Sequence, residues 1–178
     1  DVASALFGLI LLSPFMVYIA IRVKFSSKGP VFYSQERIGY KGKPFTMYKF
    51  RSMINEAEKD GPALSSENDS RITKWGKVMR KWRLDELPQL WNVLKGELSI
   101  IGPRPVTRKE LERYEEVSSV FLSIKPGITG LWQVSGRNET TFKERVELDL
   151  YYVQHWSFLL DLKIIYRTIV VMLTGKGY

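Results

Sequence analysis

The longest apolar stretch of the chain lies at its N-terminus, where residues 2–21 carry no charge and 16 of these 20 residues are apolar or aromatic. As an ideal helix this stretch would be about 30 Å long, which matches the hydrocarbon core of a bilayer. Three basic residues, Arg22, Lys24 and Lys28, follow it directly and place the remainder of the chain in the cytoplasm by the positive-inside rule. The pattern predicts a membrane-embedded helix in front of a cytoplasmic domain.

Ser13 and Pro14 lie near the middle of this stretch. Proline lacks the N–H donor and clashes with the carbonyl of Ile10, and the residue before a proline is pushed away from helical geometry. The hydroxyl of Ser13 can bond the freed carbonyl and stabilise a bend. Two structures fit this pattern: a kinked helix that spans the membrane, and a re-entrant segment of two helices, broken at Ser13-Pro14, that leaves by the leaflet it entered. Composition alone favours the spanning helix, because kinked spans are common.

Beyond residue 28 the pattern predicts a helix-rich α+β domain with a small sheet. Two short aromatic-rich runs, 31–38 and 44–50, flank five residues that include two glycines, which is typical of a β-hairpin. Periodicity and capping residues predict helices over 53–59, 71–83, 87–94, 107–116, 142–155 and 158–173, a strand over 131–134 and a polar loop over 63–70.

Residues 71–83 carry six positive charges and no negative one. Apolar side chains, among them Trp75, Met79 and Trp82, recur at helical spacing, so the segment is predicted to be an amphipathic helix. A solvated surface helix and a helix that contacts phosphates or an anionic bilayer are equally compatible with this pattern.

Asp85 and Glu86 are adjacent carboxylates at the predicted start of the helix over 87–94. Asp85 suits the N-cap, and Gly96 suits the position after the C-cap. The helix dipole favours ionised carboxylates at such a site. An ionised aspartate can attack phosphorus, and its neighbour can hold the Mg²⁺ that neutralises a diphosphate. From sequence order alone, capping remains the stronger explanation of the pair.

Three basic side chains have restricted positions. Lys49 and Arg51 lie two residues apart at the end of a predicted strand, which places them on one face. Arg104 stands between Pro103 and Pro105, so its backbone has little freedom. Rigid cations of this kind suit phosphate oxygens, and structural salt bridges explain them equally well.

Composition excludes several classes of site. The 178 residues carry a net charge of +8, which favours phosphates, nucleic acid or an anionic membrane surface as partners. Cysteine is absent, which excludes disulfides, zinc–thiolate sites and cysteine nucleophiles. The single histidine, His155, excludes multi-histidine metal sites, and its aromatic surroundings indicate packing or capping. The sequence has no phosphate-binding loop, Gly-x-Gly-x-x-Gly or Asp-x-Asp motif.

Five segments, taken together, carry a family resemblance. They are Ser13-Pro14, GKPFTMYKFRSM at 42–53, LDELPQLWNVLKG at 84–96, GPRP at 102–105 and KPGITGLWQVSGR at 125–137. In this order they resemble the monotopic phosphoglycosyl transferases, also called bacterial sugar transferases, over essentially the whole chain. The resemblance implies a re-entrant membrane helix over 1–24 and a catalytic domain with interfacial amphipathic helices over 25–178, on the cytoplasmic face of the bacterial inner membrane. It thus replaces the spanning helix that composition favours.

The resemblance also implies a reaction. A phospho-sugar passes from a UDP-sugar, here expected to be a UDP-hexose, to a polyprenyl phosphate, usually undecaprenyl phosphate, and UMP is released. This is the first membrane step of surface glycan assembly, such as that of O-antigen or exopolysaccharide. In the family the aspartate of the Asp-Glu pair forms a covalent phospho-sugar intermediate, and the glutamate helps bind Mg²⁺. These positions are Asp85 and Glu86 here.

The same match implies further site residues. The phosphate- and substrate-binding residues implied by the resemblance are Lys49, Arg51, Arg80, Pro103, Arg104, Pro105 and Arg137. Arg83 departs from the family, which often has Ser or Thr two residues before the nucleophile.

Some members of the family are longer than this chain. A chain that starts at Asp1 without Met is therefore expected to be the catalytic part of such a member.

Two other functions compete with this interpretation. A non-enzymatic basic module could dock on anionic lipid, but the context of the Asp85-Glu86 pair argues against it. A nucleic-acid binder fits the charge, but no motif that recognises nucleic acid is present and an apolar N-terminus would serve no purpose. The expected partners are therefore a UDP-sugar, undecaprenyl phosphate and membrane lipid, with no nucleic acid. The sequence leaves the sugar and the oligomeric state open.

Overall fold

The computed structural model describes residues 1–55, 57, 69–136 and 140–174. In these residues the architecture is α+β and helix-rich, as the sequence predicts. The helices are α1 (Val2–Ser26), α2 (Lys74–Lys81), α3 (Gln89–Leu94), α4 (Arg108–Glu112), α5 (Ser118–Phe121), α6 (Phe142–Gln154) and α7 (Phe158–Leu173). The strands are β1 (Phe32–Ile38), β2 (Pro44–Phe50), β3 (Ser99–Ile101) and β4 (Gly127–Thr129).

The first two strands form the predicted antiparallel hairpin. Phe32 lies opposite Phe50, and Ile38 lies opposite Pro44. The connection is a single turn of 3₁₀-helix, Tyr40–Gly42, and its final glycine has a positive φ of 74°. Glycine adopts this left-handed conformation without strain, and Lys41, at a φ of 55°, adopts it in the same turn although it is not a glycine.

A second sheet was not predicted. β3 and β4 pair in parallel, with Ser99 opposite Gly127. The strand predicted over 131–134 is wrong, because Trp132–Val134 form a 3₁₀ turn after β4. The pairing depends on a close backbone approach, since a Cβ on Gly127 would collide with the backbone nitrogen of Gly102. An approach between distant segments leaves no alternation pattern in either of them.

Helix α2 is shorter than the helix predicted over 71–83, because it begins at Lys74 and ends at Lys81. The side chain of Thr73 accepts a hydrogen bond from the first turn and caps α2 there. Ile72 instead pairs with Met53 in an isolated β-bridge. The helix predicted over 53–59 is wrong where the structure describes it, because Met53 forms this bridge and residues 54, 55 and 57 are not helical. The rest of that segment and residues 63–68 of the predicted loop lie outside the described residues.

The helix predicted over 107–116 is divided. Thr107 and Glu110 form a capping box at the start of α4, and a 3₁₀ turn, Glu115–Val117, separates α4 from α5. Glu115 has a φ of 47°, which interrupts regular helix. The last two predicted helices agree with α6 to within one residue and with α7 at both ends.

Helix α1 continues through Ser13 and Pro14. The expected break of the segment into two helices at this pair is therefore wrong. Pro14 cannot donate to the carbonyl of Ile10, and the Ser13 hydroxyl donates to that carbonyl instead, at 2.8 Å. The serine therefore satisfies the acceptor that the proline leaves open, as the sequence predicts.

Both ends of α1 pack against the same domain. Near its start, Ala5 is fully buried in a cluster with Met47 of β2 and Val93 of α3. Near its end, Val23 is buried in a second cluster with Phe50 of β2. The helix is long and apolar enough to cross a membrane, yet it lies along the domain. Its outward side exposes Leu6, Phe7, Ile10, Leu11, Phe15, Val17, Tyr18 and Ile21.

Helix α7 exposes a second apolar surface. Ile164 is its one fully buried side chain and packs with Leu131 and Tyr152. Soluble domains seldom expose so many large apolar side chains on one helix, so this surface indicates an apolar environment or partner. The exposed side chains are Phe158, Leu159, Leu162, Ile165, Tyr166, Ile169, Val170 and Leu173.

We expect Gly76→Ala in α2 to destabilise the fold by about 3 kcal/mol. Alanine normally stabilises a helix by about 1 kcal/mol relative to glycine. Here a Cβ would collide with the backbone carbonyl of Ser52, which cannot rotate away. Thermal unfolding of the detergent-solubilised protein measures the effect.

Gly8→Ala in α1 is the matched control. Its Cβ would meet the flexible Leu90 side chain at an ordinary 3.4 Å, so its stability should be unchanged or raised. Equal stabilities for the two variants would contradict the predicted close packing of α2 on the 51–53 segment.

Candidate active site

Asp85 and Glu86 lie in a 3₁₀ turn, Leu84–Glu86, between α2 and α3. Both are buried, with 8% of each residue exposed. Arg83 precedes the turn in the left-handed conformation, at a φ of 53°. The predicted N-cap role of Asp85 is wrong, because Pro88 takes the N-cap position of α3 and no side chain caps that helix.

The end of α3 agrees with the sequence. Gly96 has a φ of 75° and follows the C-cap. Its N–H bonds the Val93 carbonyl at 2.9 Å, and the N–H of Glu97 bonds the Asn92 carbonyl at 3.0 Å. These two bonds form a Schellman motif, which ends the helix as glycine predicts.

Lys49 reaches Glu86 from the hairpin. Its Nζ lies 2.7 Å from Glu86 Oε1, and only 15% of the Lys49 side chain is exposed. Burial lowers the pKa of Lys49, the charges of Glu86 and Asp85 oppose that shift, and the charge of Arg104 adds to it. The structure therefore brings Lys49, Asp85, Glu86 and Arg104 together, and we call these four residues the charge cluster.

Asn92 aligns the hairpin with the turn that carries the carboxylates. It is fully buried in α3, and its side chain accepts from the Tyr48 N–H at 3.2 Å and donates to the Thr46 carbonyl at 2.7 Å. These bonds fix the register of β2 against α3 and so direct Lys49 towards Glu86. Sequence reasoning missed Asn92, although an amide within an apolar helix was the available signal.

Arg51 and Arg80, two of the three other predicted arginines, bind different segments. Arg80 Nε donates to the hydroxyl of Ser52 at 2.9 Å. The guanidinium of Arg51 donates to Ser27, Lys28 and Pro30, in the loop that leaves α1. Arg51 therefore secures the end of α1, and its contact with phosphate stays a prediction.

The Pro-Arg-Pro turn, residues 103–105, is held at both prolines. The carbonyl of Pro103 accepts from the Gly127 N–H at 2.9 Å, and the carbonyl of Pro105 accepts from Arg37 Nη1 at 3.1 Å. Both prolines are buried, whereas Arg104 is half-buried. The prolines thus shape the turn that presents Arg104.

A buried polar network lies behind this turn. Asp149 of α6 is 1% exposed, and its Oδ2 accepts from the Tyr114 hydroxyl at 3.1 Å. Burial raises the pKa of Asp149 to about 7, against opposing effects of Arg145, Tyr114 and Arg104.

Sequence reasoning missed this network as well. Arg145, Asp149 and Tyr152 are the buried residues of α6, at the i, i+4 and i+7 positions of one helical face. The available signal was that charged residues recur at the spacing of one helical face. A search for periodic hydrophobic residues passes over them, because it considers apolar side chains alone.

Three further residues complete the comparison with the sequence. Arg83 Nη2 donates to the Gln133 carbonyl at 2.8 Å, so the family-divergent arginine joins two turns. His155 is the C-cap of α6 and stacks on Tyr151 with ring centroids 4.2 Å apart, which confirms packing and capping. Arg137 lies outside the described residues.

The similarity of this chain to known proteins extends over almost its whole length. The family profile described as bacterial sugar transferase matches residues 1–175. The chain belongs to the bacterial sugar transferase family. It is 43% identical to the exopolysaccharide production protein ExoY of Sinorhizobium fredii, with 99% of this chain and 85% of that protein aligned.

Longer relatives share the same region. The chain is 42% identical to an undecaprenyl-phosphate galactose phosphotransferase of Salmonella typhimurium, over 99% of this chain and 40% of that protein. It is 39% identical to a UDP-N-acetylgalactosamine-undecaprenyl-phosphate N-acetylgalactosaminephosphotransferase of Aeromonas hydrophila, over 99% of this chain and 43% of that protein. The chain thus spans about two fifths of these two proteins.

Asp149→Asn should change how the stability of the protein depends on pH. With its raised pKa, the native carboxyl binds a proton between about pH 4 and 7 that the unfolded chain has released. This group's contribution to the free energy of unfolding is therefore present below about pH 4 and lost as the pH rises through 7. Relative to the parent protein, the variant should gain on the order of 2 kcal/mol between pH 5 and 8.

Denaturant unfolding at several pH values measures this difference. Glu147→Gln is the control, because Glu147 lies on the same helix with its side chain exposed. The stability difference between this variant and the parent protein should stay constant over the same range. A constant difference for Asp149→Asn too would mean that Asp149 titrates as an ordinary carboxyl.

Proposed function

We propose that this chain transfers a sugar phosphate from a UDP-sugar to undecaprenyl phosphate and releases UMP, as the first membrane step of surface glycan assembly. The observation that carries the proposal is the charge cluster, in which a buried pair of carboxylates lies against Lys49 at 2.7 Å and near Arg104. The names of the relatives support the donor and the acceptor. Membership of the sugar transferase family supports the type of reaction.

The cations of the cluster suit a diphosphate. Lys49 is largely withdrawn from water, and Arg104 is fixed by its turn, so neither needs large reorganisation to meet phosphate oxygens. Arginine and lysine together supply a planar fork and a point charge, which are the usual phosphate ligands in proteins. We therefore assign Lys49 and Arg104 to the donor diphosphate.

Asp85 is the proposed nucleophile. One of its oxygens forms a bond to the β-phosphorus of the UDP-sugar, the bond from that phosphorus to the bridging oxygen breaks, and UMP leaves with the electron pair. A phosphate oxygen of undecaprenyl phosphate then attacks the same phosphorus and releases the carboxylate. Asp85 rather than Glu86 takes this role because it comes first in the Asp-Glu pair, the position that the family resemblance assigns to the nucleophile.

The carboxylates also suit Mg²⁺. This ion is usually held by one or two carboxylates together with substrate phosphates. Within the described residues no group of three or more acidic or histidine side chains could hold a metal, so the donor diphosphate would complete the coordination. We propose that Glu86 holds the ion. The bound ion would neutralise the charge of the diphosphate.

We further propose that α1 is re-entrant and that α2 and α7 are interfacial, on the cytoplasmic face of the inner membrane. Asp1 accepts a hydrogen bond from Ser99 at 2.8 Å, and Val23 packs on Phe50, so both ends of α1 meet one domain. A spanning helix would have to give up one of these contacts. The exposed apolar side chains of α1 and α7, and the basic residues of α2, suit a bilayer surface.

Asp85→Asn should lower turnover by about 10³-fold or more, because an amide cannot replace the attacking carboxylate. The measurement is UMP release from a panel of UDP-sugars with undecaprenyl phosphate. When the acceptor is withheld, mass spectrometry of the parent protein should find a phospho-sugar on Asp85. Robust turnover by the variant, or an adduct elsewhere, would end this assignment and indicate another nucleophile. Absence of turnover in the parent protein with every UDP-sugar would instead favour a non-enzymatic lipid-docking module.

Glu86→Gln is the companion variant. This variant retains Asp85, the residue proposed to form the adduct. It should require a higher Mg²⁺ concentration than the parent protein for half-maximal turnover. The exposed Glu147→Gln variant should match the parent protein in both assays.

Membrane topology can be tested with single cysteines, since the chain has none of its own. Ser4→Cys and Lys24→Cys lie near the two ends of α1 and are exposed. In the re-entrant arrangement, an impermeant maleimide should label both from the cytoplasmic side of membrane vesicles. Labelling of Ser4→Cys from the periplasmic side would show that α1 spans the membrane.

Pro14→Leu supplies the contrast. Leucine would restore the N–H donor to the Ile10 carbonyl and remove the proline ring from the middle of α1, which should favour a full span. We therefore expect this change to move Ser4→Cys labelling towards the periplasmic side.

A further inference from the structure

Arg83 combines two features that are unfavourable for an arginine. Its backbone has a left-handed φ of 53°, which L-residues other than asparagine and aspartate seldom adopt. Its side chain is buried, with 6% of the residue exposed, and withdrawing a charge from water costs free energy. Strained residues persist where the surrounding structure holds them, and they cluster at functional sites. This one lies two residues before Asp85.

The backbone and the side chain of Arg83 belong to two different turns. Its carbonyl accepts from the Glu86 N–H at 3.2 Å and so closes the turn that carries the carboxylates. Its Nη2 donates to the carbonyl of Gln133 at 2.8 Å. Gln133 is itself buried and lies in the 3₁₀ turn Trp132–Val134. Arg83 therefore ties the carboxylate turn to the turn that follows β4.

The parallel sheet places this second turn beside Arg104. Ile101 ends β3 opposite Thr129, which ends β4, so the chain leaves both strands at the same edge. Beyond that edge, the Arg104 guanidinium lies 5.6 Å from the Trp132 ring centroid, within the range of a cation–π interaction. The ring is fixed, since Trp132 is 5% exposed and its Nε1 donates to Thr140 at 2.7 Å. The turn that holds Arg83 thus also supports Arg104.

We propose that Arg83 is a positioning residue for the transfer reaction. It sets the distance between the Asp85 carboxylate and the Arg104 guanidinium, because it ties the turn of Asp85 to the turn whose tryptophan supports Arg104. The proposal rests on the proposed function in one respect, namely that Asp85 attacks a phosphorus whose oxygens Arg104 binds. It assigns Arg83 no contact with substrate.

Three substitutions separate the backbone of Arg83 from its side chain. Arg83→Gly and Arg83→Ala both remove the bond to Gln133, but only glycine adopts a φ near 53° without strain. A role of the backbone alone would leave the glycine variant fully active, whereas the proposal expects both variants to be impaired. Arg83→Lys should restore most of the activity, because a single donor makes this bond and an ammonium can supply it.

Hydrogen exchange tests the coupling of the two turns without any assay of activity. The Glu86 N–H reports on the carboxylate turn, and the Ser135 N–H, bonded to the Trp132 carbonyl at 3.1 Å, reports on the other. Arg83→Gly should raise both exchange rates about 10-fold, because each turn loses the bond that joins it to the other. An unchanged rate at Ser135 would overturn the proposal. Arg108→Ala, which removes an exposed arginine of α4, should leave both rates unaltered.

Kinetics test whether Arg83 aligns the reacting groups. Arg83→Gly should lower kcat for UMP release about 10- to 100-fold, with little change in KM for the UDP-sugar, because Arg104 keeps its own turn. In an Arg104→Ala background the same change should cost less, since one of the two aligned groups is gone. Additive losses, or a loss no larger than the loss of folded protein, would assign Arg83 a merely structural role and overturn the proposal.

Two further results keep these outcomes separate. If the parent protein forms no product from any UDP-sugar, the proposed function fails while the exchange experiment still decides the coupling. If Arg83→Gly does not fold, Arg83→Met replaces it, since methionine keeps a flexible apolar stem and has no N–H to donate. That variant should also raise the exchange rate at Ser135, and no rise would overturn the proposal.

Discussion

The ion pair between Lys49 and Glu86 joins two parts of the fold in a place with little access to water. Neither charge could stay buried alone, because an unpaired ion in such surroundings costs several kcal/mol. The hairpin and the turn before α3 must therefore keep the register that brings the two side chains to 2.7 Å. Asn92 enforces that register through the main chain of β2. The requirements of one ion pair thus fix the geometry in which Asp85 and Arg104 also lie.

Close backbone approaches make this arrangement possible. Gly76 brings α2 against the carbonyl of Ser52, and Gly127 brings β4 against Gly102, next to the Pro-Arg-Pro turn. Any side chain at these glycines would push the segments apart, and the basic residues would move with them. The chain therefore relies on small residues outside the charge cluster to hold charged residues within it.

The sequence predicted elements whose pattern is local. β2 and α7 have the predicted ends, because alternation and helical periodicity are complete within each segment. The family motifs also identified the Asp85-Glu86 pair together with Lys49 and Arg104. The short parallel sheet was missed, since three-residue strands depend on distant backbone contacts. Asp149 was missed because a charged residue on a buried helical face resembles a surface residue in sequence.

The position of α1 connects the site to the apolar surface. Val23 packs beside Phe50, the residue after Lys49, and beside Met79, which lies on the helix that leads to Asp85. Arg51 closes the same corner by binding the loop that leaves α1. The apolar helix and the charge cluster are thus parts of one rigid unit, so a bilayer that holds α1 also sets the depth of the carboxylates. A lipid phosphate confined to the headgroup layer would then meet Asp85 without leaving the membrane, while a water-soluble donor approaches from the cytoplasm.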